Sequence, residues 1–212
     1  MKLHISCEGN IGAGKTTIIE KIKVELQKQN VETTILPEPV EKWTNWTFEN
    51  STWNLLDLQY QNKAEFATPF QIVAGITKCN QIHENIKNNE TTFLVERSLM
   101  SQKMVFVPLL KLTKLNLSIV DNLLETFMHQ KEMNPDIFIY LRTTPATAMN
   151  RVVKRGRPEE ADITLDLLER LHQNHEDWLL GTEKRPVVVV ENDADGFDGV
   201  GDVVSRILKL LK

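Results

Sequence analysis

The stretch Gly9-Asn10-Ile11-Gly12-Ala13-Gly14-Lys15-Thr16 has the spacing G-x-x-x-x-G-K-[ST], followed by Thr17. Those residue types suit one kind of chemistry. Glycines let successive backbone N–H groups turn inward around phosphate oxygens. A helix opening at Lys15 adds the positive end of its dipole. Lys15 can then reach β- and γ-phosphates while the Thr16 hydroxyl ligates magnesium, so a nucleoside triphosphate held with Mg2+ is expected. Two carboxylates follow short apolar runs: Glu38 after Thr33–Leu36, and Glu96 after Thr92–Val95. Phosphoryl transfer to a hydroxyl needs a proton acceptor beside the attacking oxygen and an acid that organises the metal. Two strand-end acids supply both. Arg151, Arg155 and Arg157 complete the set. Arg151 and Arg155 share a helix face, and three guanidiniums converging on one point suit a transferring phosphoryl group. Gly156 would let this segment, about residues 151–160, hinge as a lid.

Other nucleotide chemistries fit less well. Asp193-Ala-Asp-Gly196 has the Asp-x-x-Gly form of a GTPase switch but lies near the C-terminus, and no Asn-Lys-x-Asp follows. Leu94-Val95-Glu96 is a short version of the apolar run and acid of motor-type ATPases.

The elements that must position these residues read as follows. Leu3–Cys7 is a strand and Lys15–Asn30 a helix, with Ile18, Ile19, Ile22 and Leu26 at helical spacing. Thr33–Leu36, Thr92–Val95, Asp136–Leu141 and Pro186–Val190 are further strands. Asn45–Trp53 has no clear period and reads as loop. Helices are expected over Leu55–Asn62, Pro69–Asn88, Leu99–Leu110, Ser118–Gln130, Pro145–Lys154, Leu165–Leu180 and Val200–Leu211, with a charged loop over Arg155–Glu160. Strands separated by helices imply a doubly wound, five-stranded parallel α/β sheet. No linker or repeat divides residues 1–212, so a single domain is expected.

Composition narrows the partners. A formal charge of −4 argues against a protein built to bind nucleic-acid backbone. Cys7 and Cys79 lack metal-knuckle or disulfide-scaffold spacing. No apolar run approaches membrane-spanning length, and the N-terminus reads as a strand entering a loop. A cytoplasmic location is expected, which makes the Asn-x-Ser/Thr sequons at Asn45, Asn50, Asn89 and Asn116 chance matches.

Seven motifs in order carry a resemblance: Glu8–Thr16, Glu38-Pro-Val-Glu-Lys-Trp43, Pro69-Phe70-Gln71, Glu96-Arg97-Ser98, Tyr140-Leu-Arg142, Arg155-Gly-Arg-Pro-Glu-Glu160 and Leu171-His-x-x-His-Glu-Asp-Trp-Leu179. With them the chain resembles the deoxyribonucleoside kinase family, the deoxycytidine, deoxyguanosine and mitochondrial thymidine kinases of animals and the insect multisubstrate enzyme. The resemblance implies phosphorylation of a deoxyribonucleoside 5′-hydroxyl by Mg-ATP. It makes Glu38 the base, with Arg97 holding that carboxylate and the 5′-oxygen. Gln71 would pair with the Watson–Crick edge of the nucleobase, beside Phe70, while Trp43 and Phe106 contact its ring. Tyr60 and Glu160 would bond the 3′-hydroxyl, Glu96 would help organise magnesium, and Arg151, Arg155 and Arg157 would grip phosphates. Phe197 would lie against the adenine of ATP. A homodimer is also implied.

A glutamine amide can pair with several base edges and aromatic faces stack on any base, which favours a tolerant enzyme. Where deoxycytidine and deoxyguanosine kinases have Arg and Asp, and thymidine-accepting members have small or apolar residues, this chain offers Lys78 and Gln102, with Ala74 nearby leaving room. Broad specificity including pyrimidines is the expectation. A nucleoside monophosphate kinase of the thymidylate type and a nucleotide-binding module without turnover are the alternatives. His172 and His175 read as packing and capping groups.

Overall fold

The computed structural model describes residues 2–88, 91–194 and 199–210. Strands β1 (His4–Gly9), β2 (Thr33–Leu36), β5 (Thr92–Glu96), β6 (Ile137–Arg142) and β7 (Val187–Glu191) form one sheet in the order β2-β5-β1-β6-β7. Every neighbour pair is parallel. Between β5 and β6 lies β1, every residue of which is buried, as expected of a strand covered on both faces. The helix α1 (Lys15–Lys28) lays the buried Ile18, Ile19, Ile22 and Leu26 on the sheet, so the 3.6-residue spacing identified the inward face. Helix α9 (Val200–Leu210) packs into the same core through Val203, Val204 and Ile207.

The strand order reverses about β1. Chains leaving β1 and β5 therefore diverge to opposite sides and open a crevice at their C-terminal ends. There the phosphate loop leaves β1, Glu38 follows β2, and Glu96 ends β5. Helices α2 (Val40–Thr44), α3 (Leu55–Gln61) and α4 (Lys63–Asn88) build one wall.

Four expectations change. Asn45–Trp53 is not a loop: β3 (Trp46–Phe48) and β4 (Ser51–Trp53) pair antiparallel, with Trp46 opposite Trp53. Aromatic and Thr cross-strand pairs hold this hairpin, and Glu49 takes the left-handed φ of 51° at its turn where Gly or Asn would have signalled it. Helix α4 starts at Lys63 and carries Pro69 inside it. Its start is set by the Asn62 side chain, which accepts from the Glu65 backbone N–H and donates to the Glu65 carboxylate across the first turn. The run from Leu99 is not one helix. A short α5 (Leu99–Ser101) passes into a π turn at Gln102–Phe106 and a 3₁₀ turn at Val107–Leu109, which Pro108 helps to limit. Finally, α8 (Leu165–Glu176) gives way to a π turn over Asp177–Thr182. The remaining helices, α6 (Lys114–Met128) and α7 (Pro145–Arg155), shift only at their ends, and a 3₁₀ turn at Pro158–Glu160 occupies the expected charged loop.

Candidate active site

The loop between β1 and α1 is held open by its glycines. Gly12 and Gly14 have φ of 77° and 84°, and a Cβ at Gly12 would meet the backbone oxygen of Ala148 on α7. Asn10 secures the loop by donating to the Leu168 carbonyl at 2.8 Å, and Asn192, after β7, donates to the Ala13 carbonyl at 2.6 Å. Lys15 is buried, and its Nζ donates to the carbonyls of Asn10 (2.9 Å) and Gly9 (3.3 Å). Burial first, and the Arg97 charge second, push its pKa from the ordinary 10.5 down to about 8, against the opposing pull of Glu96 and Glu38. An ammonium so poorly compensated gains strongly from an anion in the cradle.

Beside it, Thr16 Oγ1 donates to Glu96 Oε2 at 3.0 Å. A hydroxyl and a carboxylate meeting at the mouth of a phosphate cradle fit Mg2+, which takes one or two protein ligands and completes its shell with phosphate and water. Among the described residues no cluster of three His, Cys, Asp or Glu could hold a metal alone, which this mode does not require.

Arg97 connects the loop to the acid. It has a left-handed φ of 61°, rare for a side chain of this size. Its backbone N–H bonds the Cys7 carbonyl at 3.1 Å. Its Nη1 donates to the Gly9 carbonyl at 2.7 Å, its Nε lies 3.2 Å from Glu38 Oε1, and its guanidinium carbon sits 4.7 Å over the centre of the Phe106 ring. The turn is locked from beneath by Glu8. This fully buried carboxylate accepts from the Ser98 backbone N–H (2.9 Å), the Ser98 hydroxyl (2.7 Å) and the Ser6 hydroxyl (2.7 Å).

From Arg97 a cavity of about 360 Å³ extends between α2, α3, α4 and the π turn. Trp43 and Phe70 meet edge to face at 5.4 Å, and Trp43 Nε1 donates to Thr77 Oγ1 at 2.9 Å. Gln71, Ala74, Lys78, Gln102 and Phe106 also line the cavity. Gln71 is nearly buried, and Gln102 Nε2 donates both to its backbone oxygen (2.6 Å) and to its Oε1 (2.9 Å). The Lys78 ammonium donates to the Glu96 carbonyl at 2.7 Å, and burial lowers its pKa to about 8. Tyr60 borders the same space, its phenol pushed up to about 12 by burial and then by the Glu38 charge.

The three arginines do not meet at one point here. Arg155 and Arg157 reach the cavity, where Glu160 accepts from Arg155 at 2.6 Å and lies 3.7 Å from Arg157. Arg151 instead turns toward the segment after β7, with Nη2 3.5 Å from the Ala194 carbonyl. Glu160 is thus engaged by its own arginine. Phe197 lies outside the described residues.

Glu8 and Ser98 stand inside the motifs Glu8–Thr16 and Glu96-Arg97-Ser98, but the sequence assigned neither a role. An acid inside the apolar strand Ile5-Ser6-Cys7-Glu8 was the available signal for Glu8; Asn192, in no motif, had none. Two motifs prove architectural. Tyr140 and Arg142 on β6 both bond Glu176 on α8, at 2.6 and 2.7 Å, while His175 stacks on Tyr140 and is held neutral by burial.

Comparison with known proteins gives the family and relatives of this chain. The family model described as deoxynucleoside kinase matches residues 5–212. Deoxycytidine kinase 2 of Gallus gallus is 35% identical over 215 residues, covering 89% of this chain and 77% of its own length. Mitochondrial thymidine kinase 2 of Homo sapiens is 32% identical over 200 residues, covering 91% of this chain and 71% of that protein. Deoxycytidine kinase of Mus musculus is 29% identical over 243 residues, covering 98% and 90%.

Proposed function

The chain belongs to the deoxynucleoside kinase family, and on that premise we propose that residues 1–212 form one kinase unit that moves the γ-phosphoryl of ATP to the 5′-hydroxyl of a deoxyribonucleoside. One observation carries the assignment of roles. Arg97 spans from the Glu38 carboxylate to the Gly9 carbonyl of the phosphate loop, so a base and a phosphate cradle stand at the same end of one cavity.

In this reading the nucleoside base lies among Trp43, Phe70, Gln71 and Phe106, and its sugar points toward Tyr60 and Glu38. Glu38 accepts the 5′-hydroxyl proton as O5′ bonds the γ-phosphorus and the bond to ADP breaks. The Arg97 guanidinium holds the carboxylate in line and offers a second donor to O5′. Lys15 leaves its two carbonyl partners for the β- and γ-oxygens, where its charge offsets what develops in transfer. Magnesium, when bound, screens the phosphate charge; Thr16 and Glu96 are the residues that would hold it. Arg155 and Arg157 move from Glu160 to the phosphates as the lid closes, which frees Glu160 for the 3′-hydroxyl. Arg151 joins them from the α7 face.

Broad specificity including pyrimidines belongs to this proposal, as does a homodimer, for which Leu115 and Ile119, four apart on one face of α6, offer exposed apolar surface. A cytoplasmic location is supported by two unpaired, buried cysteines. No helix among the described residues is long and apolar enough to cross a membrane.

The deciding experiment compares wild type with Glu38→Gln, using each of the four natural deoxynucleosides and thymidine monophosphate with ATP. Wild type should form ADP with nucleosides and not with the monophosphate. The variant should bind nucleoside with little change while kcat falls at least ~100-fold. Unchanged turnover removes Glu38 from the mechanism. Turnover of the monophosphate alone makes the protein a monophosphate kinase, and no ADP with any substrate makes it a binding module.

A further inference from the structure

Gln102 occupies the first position of the π turn, and its side chain reaches α4. Hydrogen-bond polarity there can be worked out without assuming any amide orientation. The backbone oxygen of Gln71 can only accept, so the Gln102 group 2.6 Å away must be its NH2. The same nitrogen lies 2.9 Å from the end of the Gln71 side chain. Its second hydrogen therefore requires an acceptor there, and Gln71 must present Oε1. A main-chain carbonyl thus sets Gln102, and Gln102 sets Gln71.

The consequence concerns the nucleobase. Cytosine and adenine place an amino donor beside a ring-nitrogen acceptor, whereas thymine and guanine place a carbonyl acceptor beside a ring N–H. A carboxamide pairs with one class or the other according to which way it is turned. A freely turning amide would accept both, but Gln71 is nearly buried and tethered at its oxygen.

We propose that Gln102 is a specificity-positioning residue: by donating to Gln71 Oε1 it holds the base-reading amide in one orientation and so ranks amino-type against oxo-type bases. This rests on the reading of the cavity as a nucleoside site. It replaces an indifferent glutamine with one whose orientation is set by a second side chain.

Calorimetric dissociation constants for 2′-deoxycytidine and thymidine, without ATP, test it in wild type, Gln102→Glu and Gln102→Leu. A carboxylate at 102 can only accept, so it gives up its bond to the Gln71 backbone oxygen, draws the Gln71 NH2 to itself and turns the amide over. The ratio of the two constants should then move at least about tenfold, in favour of the base wild type disfavours, as expected for one mispaired hydrogen bond. Gln102→Leu, which adds no charge, should bring the ratio toward one. A ratio within threefold of wild type in both variants, or an equal weakening for both nucleosides, overturns the proposal, because a purely structural role moves both ligands together. Circular dichroism melting confirms that the variants are folded. A wild type that binds both nucleosides yet forms no ADP would sink the kinase mechanism and leave this ratio readable.

Discussion

Replacing Arg97 by lysine keeps the charge and separates the two things the guanidinium does. Arginine at this position meets the Gly9 carbonyl at 2.7 Å, approaches Glu38 at 3.2 Å and covers the Phe106 ring at 4.7 Å. A lysine nitrogen is one point on a flexible stem and can satisfy only one of the two polar partners. The loss is one charge-assisted bond, about 1.5–3 kcal/mol, with a cation–π contact of about 0.5–1 kcal/mol. Together these come to about 2–4 kcal/mol. If the whole loss falls on the transition state, at 1.36 kcal/mol per factor of ten, kcat/KM drops about 30- to 1000-fold. The assay is steady-state ADP release with saturating ATP and varied nucleoside, beside thermal melting. Melting should shift by no more than about 8 °C, since Ser98 and Glu8 still fix the turn. The losses in the double variant with Glu38→Gln should be clearly less than additive, because the arginine acts in part through the carboxylate it holds. A kcat/KM within threefold of wild type, or fully additive losses in the double variant, would refute this account of Arg97.

Glu8→Ala strips the acceptor from one buried N–H and two hydroxyls; urea unfolding should show a loss of about 3–5 kcal/mol, and a loss under ~1 kcal/mol would dismiss its locking role. Gly12→Ala forces a Cβ against the Ala148 carbonyl at a left-handed φ, so ATP affinity should fall at least about tenfold, and retained affinity would mean that the loop refolds freely. Lys15 and Lys78 each have a folded pKa near 8 against an ordinary 10.5. Between those values the unfolded chain holds more protons, so nucleotide-free stability should rise with pH across that window, and the rise should shrink in Lys15→Met. Triphosphate restores the ammonium, so ATP binding at pH 8, where Lys15 is half protonated, should take up about half a proton, read from calorimetry in buffers of different ionisation enthalpy; no uptake would contradict the burial of an uncompensated Lys15.

The phosphate loop, α1 and its four apolar residues, the parallel sheet and the positions of Glu38 and Glu96 were legible in the sequence. Each depends on neighbours within a turn of helix or a few strand residues, where spacing and backbone chirality decide the outcome. The boundaries that failed are those where local preference was overruled. Pro69 suggested a helix start, but the Asn62 cap on Glu65, beginning about two turns earlier, set it. Gln102–Phe106 has ordinary helical residues, yet it adopts a π turn that brings Gln102 and Phe106 to the cavity wall.

Residue chemistry and spacing in the chain alone pointed to a phosphate loop at Gly9–Thr16 and to two acids at strand ends. Tertiary structure alone decided how those groups are oriented. The left-handed Arg97 depends on Glu8, 90 residues before the Ser98 it bonds. The turn of the Gln71 amide depends on Gln102, 31 residues away. Arg155 and Arg157 rest on Glu160 while Arg151 faces elsewhere. Side-chain polarity is written in the sequence, but its direction is set by partners that only the folded chain brings within 3 Å.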